Sequence, residues 1–342
     1  MSSTVNWSLA WRLGGAIARP SPPDNREEAA SLVNDLRVSA RRALFYVSEV
    51  TGWTDAAANA SLAEVLVVDR PGFVKANSRL AQTLLETAFD EPVGWAGRQF
   101  AGAQIGAVLA ALSARVLGQF DPFSGGQHGR LLLVAPNVLR FERLLAVPAS
   151  DFRLWVALHE QTHAVQFAAA PWLPGWLKAK LAAVAGAAQG SDEAAVPRLA
   201  RLLREIPKAL RDDAPAVPLS DLLPQAARQG LAELTAAMSL LEGHADVVMD
   251  AVGPKVVRSV AEIRSKFDAR RVANGRLDKA FRRLAGMEAK TAQYVEGAAF
   301  VRGVQALVGN EGLALALTDP ENLPKPEELA NPAAWAGRVC GV

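Results

Sequence analysis

The chain has 342 residues, of which half are hydrophobic and 21% charged, with a formal net charge of +2. That is the profile of a folded globular protein with room for one large domain or two ordinary ones. Lys and Arg are interspersed with acids, which argues against nucleic acid or an anionic membrane surface as partner, and the one cysteine, Cys340, excludes an intramolecular disulfide.

Helical periodicity dominates. It predicts helices over 5–18, 26–51, 72–88, 95–118, 138–146, 151–170, 193–211, 220–251, 254–267 and 278–310. Trp7, Trp11 and Arg12 interrupt any signal-like apolar run, and with the lone cysteine this points to a reducing, cytoplasmic setting. Strands are expected at 64–68 and at 130–135, the latter ended by Pro136-Asn137. The fold class is therefore mainly α with a small β component, α+β. The stretch 99–114 is the most membrane-like, but it is short for a span and contains Gln99, Gln104 and Ser113. Gly102 and Gly106 suggest close helix packing there, so it reads as a buried helix, with no stable membrane insertion.

The next helix, capped by Ser150 or Asp151 and stopped by Pro171, carries His159-Glu160-Gln161-Thr162-His163. Two of the chain's four histidines fall here at i,i+4. On a helix that spacing stacks both imidazoles on one face, where they can reach one ion. Phe152, Trp155, Val156 and Phe167 recur on or beside the same face. A lone histidine on such a face is usually a core residue, but the pair with Glu160 between them favours metal, with Glu160 positioned to act on water at the ion.

A catalytic zinc site needs a third protein ligand. The candidates lie on the 220–251 helix, whose expected buried stripe is Leu231, Leu234, Met238, Leu241, Ala245 and Val248. Glu242 and Asp246 share a face there, and His244 points away when Glu242 points inward. This pair of helices resembles the gluzincin metallopeptidases. The resemblance implies Glu242 as third ligand and Asp246 as the carboxylate that orients a ligand histidine. His244 is the rival ligand.

Further stretches extend the likeness: 116–122, Leu133-Val134-Ala135-Pro136-Asn137, Phe152-Arg153-Leu154-Trp155-Val156, Glu242-Gly243-His244-Ala245, Gln293-Tyr294-Val295-Glu296-Gly297 and a Leu-Pro-rich tail. Together they resemble the zincin-like type 2 family of bacterial, largely actinobacterial, proteins described as hydrolases or zinc-dependent metalloproteases, some named for an association with deazaflavin coenzyme biosynthesis. Phe120 stands where the family pattern leads us to expect tyrosine. The likeness implies one zincin-like unit over 1–342, with an N-terminal helical region 1–125, a metal-binding core 126–310 bearing a helical insertion at 171–220, and a tail 311–342 anchored by Trp335. Zincin-like enzymes also pair an extended substrate with an edge strand; 130–135 is either that edge or a buried core strand.

The implied cofactor is Zn²⁺, held by His159, His163 and Glu242, and the implied reaction is hydrolysis of a peptide or small amide substrate with Glu160 as general base. Tyr294 is the first candidate for stabilising the oxyanion and His128, in the loop 124–129, the second. Arg302 is a candidate for binding a substrate carboxylate. Two rivals remain. One is an inactive zincin-like scaffold, which would have no need of Glu160. The other is a di-iron helical protein, which would need a second Glu-x-x-His motif that the sequence lacks.

Overall fold

The structure, a computed structural model, describes residues 4–18, 25–85, 94–189, 224–273 and 292–342. The predicted helix 193–211 lies outside them. The chain divides into two compact units: Met1–Glu86, Pro92–Pro174 and Val248–Lys266 form the first, and Thr87–Glu91, Gly175–Val247 and Phe267–Val342 the second.

The first unit opens with α1 (Trp7–Ile17), α2 (Arg26–Thr51) and α3 (Thr54–Ala60). Strand β1 (Glu64–Val68) leads into α4 (Arg70–Leu85), followed by α5 (Trp95–Ser113) and β2 (Gly118–Asp121). After a 3-10 turn at Gly126–His128 come β3 (Arg130–Val134), α6 (Ala135–Leu145) and α7 (Ala149–Ala169). Among the described residues the sheet has the order β1-β3-β2. β3 pairs in parallel with β1, Glu64 opposite Arg130, and antiparallel with β2, Gly118 opposite Leu133.

β3 is thus the central strand, and all five of its residues are buried. Of the two readings, edge or buried core strand, it is the second, which explains its unbroken Leu-Leu-Leu-Val run, since a strand covered on both faces shows no alternation. The edge beside the helices is β2, too short and too polar to stand out in the sequence. Pro136 does not end a strand in a loop; it sits in the first turn of α6, where its missing N–H costs nothing. Asn137 is fully buried. Its Oδ1 accepts from Arg70 Nε at 2.8 Å, and its Nδ2 donates to the carbonyls of Ser113 and Val116. One amide therefore ties α4, the end of α5 and the approach to β2.

α1 and α5 cross backbone to backbone: a Cβ on Gly106 would lie 2.5 Å from the Ala10 carbonyl, and one on Gly102 would lie 2.5 Å from that of Asn6. α5 buries Gly102, Ile105, Gly106 and Ala110 while Trp95 and Phe100 are exposed, so the helix expected to be buried is covered on part of its surface. Among the described residues no helix is long and apolar enough to cross a membrane.

α7 is buried on nearly every side from Phe152 to Gln166. A helix that packs against α2, α3, α6, β2 and β3 is buried all round, and its buried residues include the polar Glu160, Gln161, Thr162, His163 and Gln166. Its N-cap is Pro148, with no side-chain cap. The expected cap residue Asp151 instead accepts hydrogen bonds from the Ser259 N–H and hydroxyl.

In the second unit, α8 (Leu173–Gln189) begins the segment expected as an insertion, and α9 (Gln225–Val252) follows the undescribed stretch. Val248 onward in α9, and the start of α10 (Val260–Ala273), belong to the first unit. Leu234, Leu241, Ala245 and Val248 are buried as expected, but Met238 is exposed. α11 (Ala292–Ala314) and α12 (Pro332–Cys340) pack together, with short 3-10 turns between them. Trp335 anchors the tail: it is fully buried, stands edge-on to Phe300, and donates from Nε1 to the Asn322 carbonyl at 2.8 Å.

Candidate metal centre

His159 and His163 stack on one side of α7, with ring centroids 4.7 Å apart and planes at 87°. Their Nε2 atoms face each other at 3.2 Å. His163 Nδ1 lies 2.9 Å from Gln166 Oε1. An amide oxygen only accepts, so this contact is a hydrogen bond in the tautomer that carries its hydrogen on Nδ1 and leaves the Nε2 lone pair toward His159. This is the tautomer that a metal ligand needs, fixed by a neutral partner one helical turn away.

A tetrahedral zinc ion with Zn–N bonds of about 2.0–2.1 Å spaces its nitrogen ligands by roughly 3.3 Å, close to the separation of the two Nε2 atoms. Glu242, on α9, is the described residue that could join them as a third ligand. Two imidazoles and a carboxylate form the donor set of a catalytic zinc site with a fourth position left for water or substrate, so the residues present fit that ion. His244 is not in this group; it is buried in α9, at 5% exposure. Asp246 stands one turn beyond Glu242, half-buried.

Glu160, next to the first histidine, is 7% exposed. Its side chain lies directly on the backbone of Gly118, the first residue of β2. A Cβ there would approach Glu160 Cγ to 2.6 Å and Oε1 to 2.9 Å. Only glycine leaves that space. Glu242 is placed by a second glycine contact. α9 and α11 meet so closely at Gly243 and Gly297 that a Cβ on Gly243 would be 2.2 Å from the Gly297 carbonyl carbon.

From the sequence, Gly118, Gln166 and Gly297 had no role. The i+3 spacing of Gln166 after His163 was an available signal, whereas the glycines become meaningful only with their neighbours in place. Of the other candidates, Tyr294 falls in the first turn of α11 with its side chain outside the described residues. Arg302 is exposed further along that helix. His128 closes the 3-10 turn before β3 and lines a surface cavity whose walls, among the described residues, do not include the pentapeptide.

The sequence profile of the zincin-like metallopeptidase family matches residues 5–336. A crystal structure from Chloroflexus aurantiacus, described as a candidate hydrolase with a novel fold, is similar with a TM-score of 0.66 and 27% identity over 98% of each chain. No functionally curated protein matches the chain.

Proposed function

Because the chain belongs to the zincin-like metallopeptidase family, whose profile spans nearly all of it, we propose that it is a zinc-dependent hydrolase of peptide or related amide bonds. The observation that carries this reading is the facing pair of His159 and His163 Nε2 atoms, with Glu160 between the two histidines in sequence and held on Gly118; Glu242 is the third ligand that we infer. When bound, zinc supplies Lewis-acid polarisation of the scissile carbonyl and lowers the pKa of water toward ~7.

The protein's own part is to hold and move one proton. Glu160 takes it from the attacking water and returns it to the leaving amine. Its seat on the Gly118 backbone limits where the carboxylate can point, and a base held in place contributes more than one that must first be oriented. Gln166 keeps His163 in its ligating tautomer. Tyr294 is the first choice for steadying the oxyanion and His128 the second; Asp246 is the carboxylate for a ligand histidine, and Arg302 is offered to a substrate carboxylate.

The test is cleavage of a peptide library by the zinc-loaded protein and by Glu160→Gln. The proposal expects a loss of at least about 100-fold in the variant with zinc content unchanged. Equal cleavage by both proteins would remove Glu160 from the reaction. No cleavage by the parent would favour the scaffold reading.

A further inference from the structure

The described residues of the first unit enclose a surface cavity of about 90 Å³, several times the ~10–15 Å³ that admits one water. Its walls combine apolar side chains, Phe120, Phe167, Pro122 and Pro171 among them, with the polar ones of Asn59, Gln127 and His128. Phe120 and Phe167 meet with ring centroids 5.6 Å apart.

Its place relative to Glu160 follows from the periods of the two elements that build it. Gly118 and Phe120 are two apart on β2, so both face α7. Glu160 and Phe167 are seven apart on α7, which returns to the same face after two turns. The helix and strand therefore touch in two successive steps, Glu160 on Gly118 and Phe167 on Phe120. Along the strand the steps are about 7 Å apart. An extended peptide repeats its same-side side chains at that same distance. A chain that lies along β2 with its scissile bond at Glu160 would carry a side chain, about two residues along, to the cavity.

We propose that this cavity is a specificity pocket for an apolar side chain, aliphatic or aromatic, of a residue about two positions from the bond that is cut. The assignment of a scissile bond to Glu160 rests on the reading of the chain as a peptide hydrolase; the pocket itself does not. Phe120 is central: its ring covers Gly129, where a Cβ would come within 2.6 Å of Phe120 Cζ, and forms one wall of the pocket.

The test uses the full chain and two readouts. In the first, N-acetyl-phenylalanine amide is titrated into the isotope-labelled protein and followed by NMR. Shifts are expected at the amides of Phe120, His128 and Phe167, and their loss in Ala168→Phe, which fills the cavity from its lining. Shifts elsewhere only, or shifts that persist in Ala168→Phe, overturn the pocket. In the second, the peptide-library profile of the parent should favour large apolar residues at one position near the cut, and Ala168→Phe should reduce that preference at least about tenfold. An unchanged profile also overturns it. If the parent cuts no peptide, the hydrolase reading fails, while the NMR titration still decides the pocket.

Discussion

Glu160 and Gly118 form a contact in which the chemistry of one residue depends on the missing side chain of another. Gly118→Ala would place a methyl group 2.6–2.9 Å from the Glu160 side chain. The atoms that must yield belong to a flexible carboxylate, so the fold should survive while the base shifts. A displacement of about 1 Å in a reacting group can cost on the order of 100-fold. We expect kcat/KM to fall by about that factor in Gly118→Ala, with zinc content and Tm close to the parent's. Loss of zinc or of folding would show that the contact is structural. Gln166 makes a parallel case. Gln166→Leu removes the acceptor for His163 Nδ1, and removing such an outer partner typically weakens metal affinity 10–100-fold. Competition with a chelator measures it, and unchanged affinity would take Gln166 out of the site.

At the scale of elements, the two long helices were legible in the sequence because their apolar periodicity is strong and their ends are marked. α2 has the bounds that its pattern predicts, α7 differs from its own by at most two residues, and α9 ends within one residue of its predicted end, its predicted start at 220 lying outside the described residues. The histidine spacing and the Glu242–Asp246 pair were legible for the same reason. β2 was not, since four residues reading Gly-Gln-Phe-Asp show no strand signal until β3 pairs with them. α3, a seven-residue, Ala-rich helix, was missed as well, and α8 falls within the helical insertion expected at 171–220, for which no separate bounds were marked. Met238 shows the limit of periodicity, which places a residue on a face without showing whether anything covers it.

The α9–α11 crossing gives a prediction at this scale. Gly243→Ala sets a Cβ against backbone that cannot give way locally. The helices must separate, at roughly 1–3 kcal/mol as for other overpacked sites, and Glu242 should move with its helix. Both a lower Tm and weaker zinc binding are expected; a fall in Tm with unchanged zinc affinity would detach the crossing from the metal.

The tail supplies a pH dependence. Burial alone would raise the Glu328 carboxyl, but hydrogen bonds from Arg338 and from the Lys325 N–H outweigh it and hold the group below the ordinary carboxylate range. A carboxyl with a depressed folded value stabilises above its unfolded pKa of about 4.3, and that contribution is lost as pH falls through the folded value. Thermal unfolding of parent and Glu328→Gln should therefore differ above about pH 4 and converge in more acid solution. A difference that stays constant with pH would contradict this.

At the scale of the whole molecule, an ion that binds only the folded chain adds to its stability by mass action. Zinc at about 1,000 times its Kd would contribute about 4 kcal/mol, so a chelator should lower Tm in the parent and have little effect in His163→Ala. The fold was readable because family motifs and helical spacing both mark it, and the same two signals mark the candidate ligands. The cavity beside β2 was not, because it depends on Phe120 and Phe167 meeting across two elements. The central claim, one zinc ion held by His159, His163 and Glu242, is tested most directly by anomalous diffraction at the zinc edge from crystals of the zinc-loaded protein. The account predicts one strong peak about 2.0–2.2 Å from the Nε2 atoms of His159 and His163 and a carboxylate oxygen of Glu242. No peak there, or a peak held by His244 in place of Glu242, would contradict it.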